Sequence, residues 1–198
     1  MNFDIRKYVV AALLSALVWI MALTPFGYIS MFEVDVTLMC IPVIIGTCAL
    51  GLQYGLFLGF MFALTSLFMA LMGRAGVLLA PLLNSPVAMY LMIFIPRMLI
   101  PVITKLVLKT TKKMKPLVSY SLSVIAGSFI NTIVFLGIAY LLGSKLLTEA
   151  YQMSNRDLLN ALGGIAISNG LLEATFAVIV CVPASIILKK ALSRPSSD

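Results

Sequence analysis

Two charged side chains stand where the sequence offers them no water. Arg97 lies in YLMIFIPRMLIP, Tyr90 to Pro101, and Glu173 lies in SNGLLEATF, Ser168 to Phe176. Both stretches are otherwise almost wholly apolar. A guanidinium keeps its charge at any usable pH, and a charge at the centre of a hydrocarbon layer costs about 2.5–3.5 kcal/mol even on an insertion scale. Three amides accompany the pair: Asn131 in GSFINTIVF, Asn169 one helical turn before Glu173, and Asn84 at the mouth of the Arg97 stretch. Positions 169 and 173 are four apart, so on a helix they share a face. Thr65 and Ser66 add hydroxyls from another apolar segment. An arginine with convergent amides suits a small anion that also carries hydroxyl or amide groups. Arg97 would take a carboxylate through both prongs of its fork, Asn131 and Asn169 can donate and accept, and Glu173 would accept a hydroxyl or ammonium hydrogen or orient Arg97. The plainer reading is mutual neutralisation of Arg97 and Glu173, with the amides joining helices. A buried pair is a weak source of stability, because desolvation offsets attraction. Phe62, Tyr90, Phe94, Phe129 and Trp19 could wall the apolar part of a pocket or serve as packing.

Other chemistries find little support. The chain has no histidine, and Cys40, Cys48 and Cys181 lack CxxC spacing, so no metal or other cofactor is expected. No carboxylates pair within the apolar stretches, and no GxxxxGK[ST] loop is present, so no catalytic residues and no enzymatic activity are expected. The net charge of +7 is not organised as a nucleic-acid face.

The elements that must hold these residues follow from composition. Of 198 residues 62% are hydrophobic and 11% charged, and the mean hydropathy is +1.10. A soluble domain is about half apolar and about a quarter charged, so lipid is the solvent for most of this chain. The apolar runs lack the alternation of a barrel, which leaves helices. We read an all-α membrane protein, a single domain over residues 1–198, with six spans: Tyr8–Leu23, Val36–Leu50, Leu56–Met72, Val87–Leu108, Val118–Leu142 and Gly164–Leu188. A tight GLQYG turn joins the second and third. Pro25 occupies the place of a cleavage site, so the first span reads as an uncleaved helix. Pro96 and Pro101 each remove an N–H from the fourth span, and Pro96 frees a carbonyl one turn before the charge and should kink the helix there.

Orientation follows from the cations. Arg6 and Lys7, then Lys105, Lys109, Lys112, Lys113 and Lys115, then Lys189, Lys190 and Arg194 fall on one side of a six-span chain, which the positive-inside rule makes cytoplasmic, both termini included. The basic loop suits anionic lipid headgroups or an acidic partner. The opposite loops are different. TPFGYISMFEVD is short and aromatic, and GRAGVLLAPLLNSP is apolar. GSKLLTEAYQMSNRDLLNALGG has helical spacing, with Ser154 and Asp157 placed as a capping box. Apolar loops facing water are expected to fold back, here as a lid over a cavity open to the outside.

Small residues form ridges along two spans: Gly51, Gly55, Gly59 and Ala63 on the third, and Ala12 and Ala16 as an AxxxA on the first. Such ridges let helices approach closely, within the bundle or against another membrane subunit. With these ridges, TPFGYI, VDVTLMCIPVIIGTCALGLQYGLFLGFMFALTSL and IPRMLIP, the chain resembles the substrate-binding (S) components of energy-coupling factor (ECF) vitamin transporters over nearly its whole length. The resemblance implies a bacterial plasma-membrane protein that binds a vitamin from outside. It also implies docking on a transmembrane T subunit with two ATPase subunits through Ala12 and Ala16, and delivery of the cargo by toppling. Within the family the arrangement looks most like the pantothenate member: Arg97 would meet the carboxylate, Asn131 the amide or a hydroxyl, and Asn84, Glu173, Asn169, Tyr90, Phe62 and Thr65 would complete the site. Folate, riboflavin or a thiamin precursor is the alternative cargo, and a non-transport membrane assembly protein the alternative class.

Overall fold

The computed structural model describes residues 5–24, 28–31, 34–74 and 76–193, and the side chains of all of these except 28–31, 34–37 and 84. The elements run α1 (Ile5–Leu23), β1 (Tyr28–Met31), β2 (Val34–Thr37), α2 (Cys40–Leu50), α3 (Leu52–Leu71), a 3-10 turn (Ala80–Asn84), α4 (Pro86–Thr110), α5 (Pro116–Tyr151) and α6 (Asn155–Leu192). Among the described residues, five helices are long and apolar enough to cross a membrane.

The second expected span differs. Val34-Asp35-Val36-Thr37 alternates β-branched and charged residues, a pattern that favours an extended strand. It pairs antiparallel with β1, Tyr28 opposite Thr37, and helix begins only at Cys40. The 11 residues of α2 reach about 16 Å, about half a hydrocarbon layer. Nearly all of them are buried. The GLQYG turn shrinks to Gly51 alone. Its φ of 111° is open to glycine, and helix resumes at Leu52 rather than Leu56.

The fifth and sixth helices outgrow the expected spans. Helix α5 has 36 residues and continues to Tyr151, not Leu142. Helix α6 has 38 and starts at Asn155, not Gly164. The chain turns between them at Gln152, whose φ of 51° ends α5. The capping box is present as expected: the Asp157 N–H donates to Ser154 Oγ at 3.2 Å, and the Ser154 N–H reaches the Asp157 carboxylate. Leu147, Leu158 and Leu162 bury the faces of this extension. The second apolar loop folds back as expected: Leu82 is fully buried against Gly143, and the Tyr151 hydroxyl donates to the Val77 carbonyl at 2.7 Å.

Two apolar cores result. One surrounds α2, with Ile44, Leu58, Phe62, Ile100, Val124, Ala177 and Cys181. The other joins α3 to α6 near the α5–α6 turn, with Ala63, Met92, Ile93, Leu136, Leu147 and Leu162. Following any of α4, α5 or α6 from one core to the other, the helix passes through polar positions: Arg97 on α4, Ser128, Asn131 and Thr132 on α5, and Asn169 and Glu173 on α6. Helix α2 begins beside this polar layer, where Cys40 lies within reach of Glu173.

The glycine ridge of α3 is spent inside the bundle. Gly55 and Gly59 are buried. A Cβ on Gly55 would collide with the Thr47 hydroxyl, and one on Gly59 would lie 2.7 Å from the Arg97 carbonyl oxygen. Gly59→Val therefore pushes α3 off α4, and we expect it to lower Tm by about 5–10 °C in a thermal-unfolding assay of the solubilised protein. Gly137→Val, where no atom lies within 4 Å of the added carbon, is the matched control and should leave Tm within a degree or two. Ala12 and Ala16 are the reverse case. Both are exposed, on the face of α1 away from buried Ala11, Val18 and Ala22.

Candidate functional site

Helix α4 runs unbroken through Pro96 and Pro101. Pro96 has no N–H, so the Met92 carbonyl four residues earlier loses its helical donor. Arg97 supplies the replacement: its Nη1 donates to the Met92 oxygen at 2.9 Å. The residue that opens the ladder and the residue that closes it are thus adjacent in sequence. A hydrogen bond inside its own helix fixes the direction of the guanidinium, which points into the bundle rather than into lipid. Arg97 is 7% exposed.

Two aromatic faces hold the guanidinium. Its central carbon lies 5.2 Å from the Phe62 ring centroid and 4.8 Å from that of Phe135. Cation–π attraction of this kind strengthens when the site is dry. Phe62 is an expected member of the site. Phe135 is not, although it lies four residues after Asn131 and so shares its helix face.

The carboxyl of Glu173 forms the second focus. It is 3% exposed. The Thr132 hydroxyl donates to Glu173 Oε2 at 3.1 Å across the α5–α6 contact. Cys40 and Ser128 lie within reach of the same carboxyl, and Arg97 acts on it electrostatically. The start of α2 beside it presents the end of a helix that favours negative charge. Among the described residues, the buried atoms Asn131 Oδ1, Glu173 Oε1, Ser66 Oγ, Thr104 Oγ1 and Ser185 Oγ have no hydrogen-bond partner. Leaving such an atom unmet costs about 1–3 kcal/mol, and native interiors contain few of them. Asn131 and Glu173 belong to the layer through α5 and α6, and Ser66, Thr104 and Ser185 lie outside it.

The remaining expected residues divide. Asn169 is buried one turn from Glu173. Thr65 is buried, but its hydroxyl donates to the Phe62 carbonyl at 2.8 Å within its own helix. Tyr90 is 46% exposed. It sits two turns from Arg97 on the same stripe of α4, its ring 6.5 Å from Phe94. Phe94 also meets Phe60, and Trp19 meets Phe68 at 5.9 Å, both on α3. Phe129 packs over Gly170 of α6. None of Trp19, Phe94 and Phe129 has the cation–π position that Phe62 and Phe135 hold. The Asn84 side chain and the side chains of PFGYISMFEVD, residues 25–35, lie outside the described residues, although β2 itself packs against α6. Among the described residues no group of His, Cys, Asp and Glu could hold a metal ion.

The model of the family described as ECF transporter, substrate-specific component, matches residues 6–185. A comparison with individually curated proteins returned no match.

Proposed function

Because the chain belongs to the substrate-specific components of ECF transporters, we propose that its polar layer captures a small carboxylate-bearing vitamin, pantothenate, for import. The chain is the substrate-binding subunit of such a transporter, a multi-pass membrane protein working with T and ATPase subunits.

The cargo reading rests on one observation above the rest. A guanidinium is aimed into the bundle by the Met92 carbonyl and two rings, beside buried acceptors with unused capacity. Pantothenate carries one carboxylate, one amide and two hydroxyls. Arg97 takes the carboxylate, Asn131 the amide or a hydroxyl, and Glu173 Oε1 a hydroxyl hydrogen, with Asn169, Asn84 and Tyr90 as further polar neighbours. Phe62 and Phe135 cover the apolar part. Thr65 supports Phe62 through its backbone rather than reaching the cargo. Mutual neutralisation of Arg97 and Glu173 explains less, because it leaves Asn131 Oδ1 unmet.

Entry is from the side of the α5–α6 turn, with the cation-rich ends and both termini cytoplasmic. The β1–β2 hairpin and the 80–84 turn form the lid. The packing of β2 against α6 and the burial of Leu82 support that arrangement. The membrane is the bacterial plasma membrane. Ala12 and Ala16 dock the T subunit, and delivery follows by toppling.

Mass spectrometry of the small molecule that survives gentle purification tests the cargo, followed by calorimetry with pantothenate. Retention and tight one-to-one binding of pantothenate are expected. Retention of folate, riboflavin or a thiamin precursor instead would replace the cargo and keep the class. Unrelated protein partners with no small ligand would return the chain to a membrane assembly role.

A further inference from the structure

At the end of the bundle away from the α5–α6 turn, the end of α4, the start of α5 and the end of α6 border an open hollow of about 450 Å³. Its walls are of two kinds. Leu108, Met114 and Ile186 make an apolar side, and three lysines, Lys112, Lys189 and Lys190, line the rest. Lys189 Nζ lies 5.8 Å from the ring centroid of Tyr120, which also lines the hollow. The ring thus holds one of the three cations in place. Ser119 and Ser193 add hydroxyls.

Nothing acidic answers these cations among the described residues. The described carboxylates are Glu149, Asp157 and Glu173. The first two belong to the α5–α6 turn and the third to the polar layer, and none lines the hollow. Helix C-termini attract lysines by their dipoles alone. They do not by themselves build a cleft that is apolar on one side and cationic on the other.

The surroundings select among anions. Leu106, Leu117, Val118 and Ile187 are exposed within the same turns of α4, α5 and α6. In a membrane-spanning chain, exposed apolar residues at that level mark the hydrocarbon boundary. A soluble anion would use the lysines and leave the apolar wall bare, whereas a phospholipid satisfies both. We propose that this hollow is a binding site for an anionic phospholipid, its phosphate among Lys112, Lys189 and Lys190 and its glycerol and first acyl carbons against Leu108, Met114 and Ile186. The site is separate from the vitamin site and does not depend on which vitamin is carried.

The test uses the full chain, purified from vesicles of equal phosphatidylglycerol and phosphatidylcholine, with retained lipid read by native mass spectrometry. Phosphatidylglycerol should be retained in preference to phosphatidylcholine. The triple variant Lys112→Gln, Lys189→Gln, Lys190→Gln should reduce that retention about tenfold. A second triple, Lys105→Gln, Lys109→Gln, Lys113→Gln, removes equal charge nearby from residues that do not line the hollow. It should reduce retention less than the first triple does, because only the general attraction of the surface is lost. Unchanged thermal unfolding of both triples establishes that they are folded. Equal loss in both triples would reduce the effect to general surface potential and overturn the proposal. Equal retention of the two lipids would overturn it too, as would displacement of the lipid by millimolar inorganic phosphate, which would make the hollow a site for a free anion.

Discussion

Arg97→Ala abolishes vitamin capture: in equilibrium binding to the purified protein, affinity falls by about a hundredfold or more. The size of the loss follows from the chemistry removed. A charged hydrogen bond contributes about 1.5–3 kcal/mol, the proposed carboxylate contact has two, and the partner left behind is a desolvated carboxylate. Arg97→Lys should recover only part, because an ammonium cannot span both oxygens in a plane. Nor can it reproduce the bond from Nη1 to Met92 while sitting between Phe62 and Phe135. The variant also leaves the Met92 carbonyl without the donor that replaced Pro96. Thermal unfolding of the empty variant is therefore part of the measurement. A folded variant with affinity within twofold of the parent would remove Arg97 from the site.

The second large effect separates binding from transport. Ala12→Leu with Ala16→Leu places two bulky side chains on the exposed face of α1, where close approach of a partner helix requires small residues. Overpacking of a helix contact costs about 1–3 kcal/mol per site. Co-purification with the T and ATPase subunits, and ATP-dependent uptake in cells, should thus fall by tenfold or more. Vitamin affinity of the isolated protein should stay unchanged, since α1 supplies no side chain to the polar layer. Loss of binding and uptake together would mean that α1 acts through the fold instead.

Much of the polar layer is legible in the sequence because membrane energetics make exceptions visible. Arg97, Asn131 and Glu173 stand out from apolar runs, and the structure brings them into one layer between two cores. The carbonyl freed by Pro96 is also readable from the missing N–H, though not that Arg97 itself takes it. Aromatic roles are harder. Phe62, Phe135, Phe129 and Trp19 look alike in a chain this rich in aromatics, and only packing assigns two of them to the guanidinium.

Element boundaries are lost where local signals conflict with tertiary context. Gly143, Gly163 and Gly164 lower helix propensity, yet α5 and α6 pass through them. Leu82 fills the space beside Gly143, and Leu158 and Leu162 bury the adjoining face. An apolar run continuous from Val36 to Leu50 hides the β-branched strand at its start. The small-residue ridges carry the same pattern with opposite uses. Gly55 and Gly59 pack α3 inside the bundle, while Ala12 and Ala16 stay on the surface.

The most direct measurement is a two-by-two comparison of affinities, parent and Arg97→Gln, each against pantothenate and against the alcohol analogue in which a CH₂OH replaces the carboxylate. The parent should prefer the acid by about a hundredfold or more, because a site built for a charged group rejects the isostere that lacks it. In Arg97→Gln the preference should collapse to within a few-fold. Equal preference for the acid in both proteins would show that a different group reads the carboxylate and that the buried guanidinium is not its partner.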